Sequence, residues 1–119
     1  MTPDFSARSR QFELMDAPDV DPTELDHAMR HLEIINQCLN GYGPTLAGIE
    51  AILPCGVSSF SLLDVGCGSG DTLRKIAKWA RKRRLDVALT GVELSERSAE
   101  RAAEQCRDFP EIQIQHGDF

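Results

Sequence analysis

Apolar residues follow two different rhythms along this chain. Leu25, Ala28, Met29, Leu32, Ile35 and Leu39 recur at three- and four-residue steps, which predicts one stripe of a helix ending at Asn40-Gly41. Asp21 before Pro22, with Glu24 following, supplies its start: a capping side chain, a proline in the first turn and an acid at the positive end of the dipole. Gly43-Pro44 opens a further helix carrying Leu46, Ile49, Ala51, Ile52 and Leu53, which Pro54-Cys55-Gly56 stops. Upstream, Phe5, Phe12, Leu14 and Met15 suggest a short helix before the breaker-rich stretch Asp16 to Pro22.

From Phe60 onward the rhythm changes. Phe60 to Val65 is an apolar run of strand length. Thr72 to Arg83 reads as a helix whose Leu73, Ile76, Ala77 and Ala80 face a core. Val87 to Val92 is a second strand, Ser95 to Arg107 a helix capped by Ser95, and Ile112 to Gln115 a shorter third strand. Strand–helix–strand–helix–strand with short connections implies right-handed crossovers and a parallel sheet. The expected fold is therefore α/β. Residues 1–57 form a helical cap segment and residues 58–119 the α/β segment, divided near Ser58.

A chain of 119 residues with 41% apolar and 27% charged residues fits one globular domain. The net charge of −6 is unevenly placed. Residues 1–60 hold nine acids against Arg8, Arg10 and Arg30, whereas residues 61–119 balance ten against ten. This disfavours a nucleic-acid partner, which needs a basic field. Cys38, Cys55, Cys67 and Cys106 are widely spaced, and the first ten residues lack a signal-peptide pattern, so the expectation is reduced thiols in a cytoplasmic protein. No apolar run reaches the ~18 residues of a membrane span.

The chemistry concentrates in Leu62-Leu63-Asp64-Val65-Gly66-Cys67-Gly68-Ser69-Gly70-Asp71. A buried strand enters a turn with glycine at alternate positions and leaves as a helix. Such a turn lets a ligand approach the backbone and is expected to offer free N–H groups beside a helix N-terminus. The spacing is Gly66-x-Gly68-x-Gly70, and Asp71 stands where a dinucleotide fingerprint has its third glycine. An acid there would repel a pyrophosphate, which weakens a nicotinamide oxidoreductase reading. Glu93, at the end of the second strand, has the place and chemistry to accept hydrogen bonds from two ribose hydroxyls.

These residues, with Gly91-Val92-Glu93-Leu94-Ser95 and Gln115-His116-Gly117-Asp118-Phe119, resemble the class I S-adenosylmethionine-dependent methyltransferases in motif order and spacing. The resemblance spans residues 60–119 and implies a Rossmann-like sheet with S-adenosylmethionine as cofactor. By it, Asp64 holds the glycine loop and the methionine amino group, and Gly66, Cys67, Gly68 and Gly70 form the loop along the methionine portion. Glu93 binds the ribose, Leu94 and Phe119 flank the adenine, and Asp118 accepts from its amino group. A looser likeness of Glu13-Leu14-Met15-Asp16 and the Asp-Pro helix start to bacterial small-molecule enzymes favours a small-molecule acceptor.

Plainer readings stand beside these. Asp71 suits a favourable charge at a helix N-terminus better than a cofactor ligand. Cys67 reads as a small packing residue, and Tyr42, between two glycines, as packed or exposed rather than touching a ligand. His27 and His31 share a helix face without a third ligand, so no metal is expected. The run Arg74, Lys75, Lys78, Arg81, Lys82, Arg83 and Arg84 reads as a solvated face.

Family members have about seven strands, the fourth beside the first, and this chain stops after the third. The expected sheet is thus incomplete, a truncated methyltransferase part in which no catalytic base can be named. The first strand would be a bare apolar edge, expected to invite self-association. Two other functions remain open: a non-catalytic cofactor-binding or scaffold fragment, and a methyltransferase acting on RNA or protein.

Overall fold

The computed structural model describes Ser6 and residues 19–118. Three parallel strands, β1 (Ser59–Val65), β2 (Asp86–Glu93) and β3 (Ile112–His116), form an open sheet in the order β1-β2-β3. Helices α3 (Asp71–Arg83) and α4 (Glu96–Cys106) connect them, and α1 (Pro22–Cys38) and α2 (Gly43–Ile52) precede the sheet. This is the Rossmann-like arrangement expected, with element bounds within one or two residues of the pattern. The short helix expected around Phe5 to Met15 lies outside the described residues.

The side-chain period of two explains which face is buried. Parallel register aligns Phe60 with Val87, and Leu62 with Leu89 and Ile112, while Gly91 stands opposite Ile114. These residues meet Leu73, Ile76, Ala77 and Ala80 of α3 and Ala102 of α4 in a single core. Leu73, Ile76 and Leu89 are fully buried. Ile49 of α2 joins the same core from the edge, with Leu46 and Leu53 packed against it.

The opposite face carries Leu63 and Val65, which are 60% and 56% exposed. Among the described residues, then, the sheet is covered on one side only, and β1 is an edge strand. Parallel sheets are ordinarily covered on both faces.

The stop expected at Asn40-Gly41 is observed: α1 ends at Cys38 with Leu39 as its C-cap, and Asn40 takes the left-handed conformation (φ 54°) that reverses the chain. One expectation about α1 needs correction, since its apolar stripe is not a buried face. Leu25 is the one buried residue of α1, while Leu32, Ile35 and Leu39 are exposed. The helix is held instead by polar groups. Arg74 pairs with Glu33, Arg101 with Asp26, and the Arg97 guanidinium donates to the Val20 carbonyl at 3.3 Å. Buried Arg74 Nε and Arg101 Nε have no partner, so this docking leaves two donors unsatisfied.

The one-sided sheet has a direct consequence for stability. Leu89→Ala should cost about 2–5 kcal/mol by urea unfolding, whereas Leu63→Ala on the open face should cost less than about 1 kcal/mol. A loss at Leu63 equal to that at Leu89 would mean that this face is covered in solution.

Candidate functional site

The glycine turn is built at the tips of β1 and β2. Gly66 and Cys67 donate their amide protons to the Val92 carbonyl at 2.8 and 3.1 Å, extending the β1–β2 ladder into the turn. Gly70 N–H donates to Cys67 O at 2.9 Å and closes it. Gly68 N–H donates to Glu93 Oε2 at 2.9 Å. The expectation of free loop amides is therefore corrected at these four positions: each proton is already accepted within the protein.

The three glycines have different duties. A Cβ on Gly66 would meet nothing within 4 Å, and one on Gly68 would meet only the Met29 sulfur at 3.9 Å. These two positions border open space. Gly70 faces inward, where a Cβ would lie 2.7 Å from Cys106 Sγ, and its φ of +73° is left-handed. Gly70 thus serves packing against α4 rather than the approach of a ligand. Cys67 likewise turns its thiol into the core, and burial, then the charges of Asp64 and Glu93, push that thiol up to about 12. The buried thiol serves packing, and the Cys67 backbone is engaged by Val92 and Gly70.

The open space is a cleft of about 220 Å³ between the turn and α1. Asp64, Gly66 and Gly68 line one wall, and Met29, Glu33 and Asn36 the other. Asp64, Asp71 and Glu93 surround the turn. Burial raises the Asp64 pKa above its ordinary value of 3.8, and the charges of Asp71 and Glu93 raise it further. A cation beside Asp64 would lower that pKa again.

Glu93 grips the turn through one oxygen and takes Ser95 N–H at 3.3 Å with the other. A carboxylate offers about four lone-pair sites, so two remain for ligand hydroxyls. The tip of β3 is drawn alongside: Gly117 N–H donates to the Glu93 carbonyl at 3.1 Å, and His116 Nε2 lies 3.0 Å from Leu94 O. This sets the Asp118 backbone beside the Glu93–Leu94 tip. Leu94 is 54% exposed, free to cover a ring. Phe119 lies outside the described residues.

Sequence reasoning missed the role of Asp71. It begins α3 as expected, but its Oδ2 also accepts from Tyr42 Oη at 2.7 Å and from Asn36 Nδ2 at 3.3 Å. Tyr42 is buried, and burial with the adjacent Asp71 carboxylate drives its pKa up. The glycine turn is thereby latched to the corner between α1 and α2. The Gly41-Tyr42-Gly43 setting marked Tyr42 as unusual, but nothing in the sequence named its partner 29 residues away. Among the described residues, no group of three His, Cys, Asp or Glu side chains is arranged to hold a metal ion, and no helix is long and apolar enough to cross a membrane.

Comparison with known proteins agrees with the fold. Residues 62–119 match the family model for a methyltransferase domain. A TehB-like SAM-dependent methyltransferase from Corynebacterium glutamicum is 22% identical, with a TM-score of 0.54 over 82% of this chain and 47% of its own. A Methanococcus maripaludis protein described as an S-adenosyl-L-methionine-dependent methyltransferase is 20% identical, with a TM-score of 0.54 over 94% of this chain and 46% of its own. The citrinin polyketide synthase CMeT domain is 20% identical, with a TM-score of 0.50 over 61% of this chain and 19% of its own. At these identities the likeness concerns the fold, and the chain spans less than half the length of each of these structures. No curated protein matches the chain.

Two measurements test the site's construction. Asp64 has a raised pKa in the fold, so its charge opposes folding at neutral pH and ceases to do so once both states are protonated. Asp64→Asn should therefore raise the melting temperature at pH 7, and the gain should vanish as pH falls below the ordinary Asp value of 3.8. A gain independent of pH would contradict the electrostatic cause. Gly70→Ala should cost roughly 2–4 kcal/mol, from left-handed strain plus overpacking, and Gly66→Ala only the strain of roughly 1–2 kcal/mol. Equal losses in chemical denaturation would refute the division of roles.

Proposed function

We propose, for a chain whose residues 62–119 match the methyltransferase-domain family model, that the cleft at the glycine turn holds S-adenosylmethionine and serves methyl transfer to a small-molecule acceptor. On this reading residues 58–119 are the N-terminal half of the catalytic domain, and residues 1–57 are a helical cap beside the cofactor. One observation carries the reading: three carboxylates, Asp64, Asp71 and Glu93, converge on a backbone turn that has open space only at Gly66 and Gly68.

That donor set fits the cofactor's chemistry. S-adenosylmethionine carries a sulfonium and an ammonium against one carboxylate, so a site with excess negative charge favours it, whereas a pyrophosphate would be repelled. Asp64, in the cleft wall, would pair with the ammonium. Glu93 has two unused lone pairs for the ribose hydroxyls while it keeps hold of the turn. Leu94 and Asp118 flank the adenine side, and Phe119 is assigned there by family likeness alone.

When bound, the cofactor supplies a methyl group made electrophilic by the sulfonium. The chain's own contribution is binding and orientation. Displacement at a methyl needs the acceptor in line with the leaving sulfur, and a rigid turn fixes one partner of that line. The cleft of about 220 Å³ lies below the ~300 Å³ at which small-molecule pockets usually begin. It therefore accounts for the methionine portion, and the adenosine portion extends beyond it along Glu93 and Leu94.

Calorimetry with S-adenosylmethionine and its demethylated product tests the reading. Both should bind, and Glu93→Ala should weaken binding by roughly 1–3 kcal/mol through lost charged hydrogen bonds. Unchanged affinity in that variant would sink the site assignment. Binding of the cofactor without methyl transfer to any acceptor would favour a non-catalytic cofactor-binding role.

A further inference from the structure

A second hollow lies on the outer face of α3, away from the glycine turn. Its volume is about 400 Å³, inside the ~300–1,000 Å³ range of pockets that take small organic ligands. Leu46 of α2 and Trp79 of α3 form the apolar floor. The rest of the lining is cationic: Lys75, Lys78, Arg81, Lys82 and Arg83, with no carboxylate among the lining residues.

Two of these cations are already neutralised. Arg81 makes a two-pronged pair with Glu111 at 2.6 and 2.8 Å. Arg83 pairs with Glu50 at 3.1 Å and lies over the Trp79 ring at 4.5 Å. The other three are not. Lys75 and Lys78 stand over the rings of Tyr42 and Phe109 at 5.4 and 5.8 Å. Such contacts stabilise an ammonium without cancelling its charge. Lys82 has no ion-pair or hydrogen-bond partner among the described residues. Positions 75, 78 and 82 are spaced to share one helix face, so the uncompensated charge forms a stripe beside the apolar floor.

The helix dipole does not account for this stripe. Its influence falls off within the last turn; Arg81, Lys82 and Arg83 occupy that turn, and Lys75 and Lys78 lie before it. Leu46 and the exposed edge of Trp79, a core residue whose ring Arg83 partly covers, put an apolar surface beside that charge. An extended polyanion would use the charge and leave the floor unfilled. An apolar body with a single acidic head uses both.

We propose that this hollow binds an anionic amphiphile, a small molecule with an apolar chain or ring and a carboxylate or similar anionic head. The apolar body rests on Leu46 and Trp79, and the head is held by the Lys75–Lys78–Lys82 stripe. The site is distinct from the cofactor cleft, and the proposal does not rest on the methyl-transfer reading.

Trp79 is the sole tryptophan of the sequence, so its intrinsic fluorescence reports on the hollow. Octanoate, titrated below its micelle concentration, should change that emission in a saturable way that weakens as sodium chloride is raised. Octyltrimethylammonium and octanol should give no saturable change. The exposed double substitution Lys78→Gln/Lys82→Gln should weaken octanoate about tenfold and leave thermal unfolding unaltered. The proposal is overturned if octanoate does not saturate, if the cationic or neutral analogue matches it, or if the double variant binds as the wild type does. It is also overturned if a short oligouridylate displaces octanoate and binds more tightly, which would assign the face to nucleic acid.

Discussion

Three consecutive amide protons, those of Gly66, Cys67 and Gly68, are taken by two neighbouring groups at the tip of β2, the Val92 carbonyl and the Glu93 carboxylate. The rest of the site depends on this grip. It fixes the turn at the end of β1 without help from a ligand and orients Gly66 and Gly68 toward open space. It also holds Glu93 at one setting of its side chain. A carboxylate already immobilised by the backbone loses little further freedom when a ligand hydroxyl joins it, and preorganisation of that kind favours affinity. The β1–β2 pairing and the site are therefore one construction: parallel register through Val65 and Val92 delivers both halves of the grip.

Asp71 extends that construction to the N-terminal helices. Its place at the start of α3 is favourable for a charge, but its oxygens also accept from Tyr42 and Asn36. The turn and the α1–α2 corner are thus joined by hydrogen bonds to an ion, which are stronger than neutral ones and sensitive to geometry. Beyond this latch, α1 relies on Glu33–Arg74 and Asp26–Arg101. A helix held by charges can shift without exposing a large apolar surface. The buried, unpaired Nε atoms of both arginines indicate that the docked position is not fully satisfied.

The fold was legible because local rules and tertiary packing agree in the second half of the chain. Leu73, Ile76, Ala77 and Ala80 recur at helical spacing, Ser95 caps α4 through the Ser98 amide, and the strands alternate in burial. The same logic misled for α1, since an apolar stripe shows that a helix can be amphipathic and not that a partner covers it. At the site, residue types announced their chemistry: glycines for a close turn, Glu93 for hydroxyl recognition. What the sequence did not reveal was pairing across long separations. Nothing local says that Gly70 faces Cys106, that Tyr42 reaches Asp71, or that Glu93 spends two lone pairs on its own backbone. These depend on three-dimensional register, and they change which glycines meet a ligand.

The same electrostatics that recommends the cleft for a cation works against folding. Asp64, Asp71 and Glu93 repel one another around a turn whose amide protons are largely consumed, and the Asp64 pKa is raised by burial first and by that repulsion second. Asp71 is relieved by Tyr42 and Asn36, and Glu93 by Gly68 and Ser95. At Asp64, burial and then the charges of Asp71 and Glu93 all disfavour the ionised form. The unrelieved charge therefore sits at one identifiable carboxylate in the cleft wall, where a ligand cation would gain most. A protein that binds a cationic ligand only when folded is stabilised by it, and a ligand cation beside Asp64 would offset the cost of its buried charge.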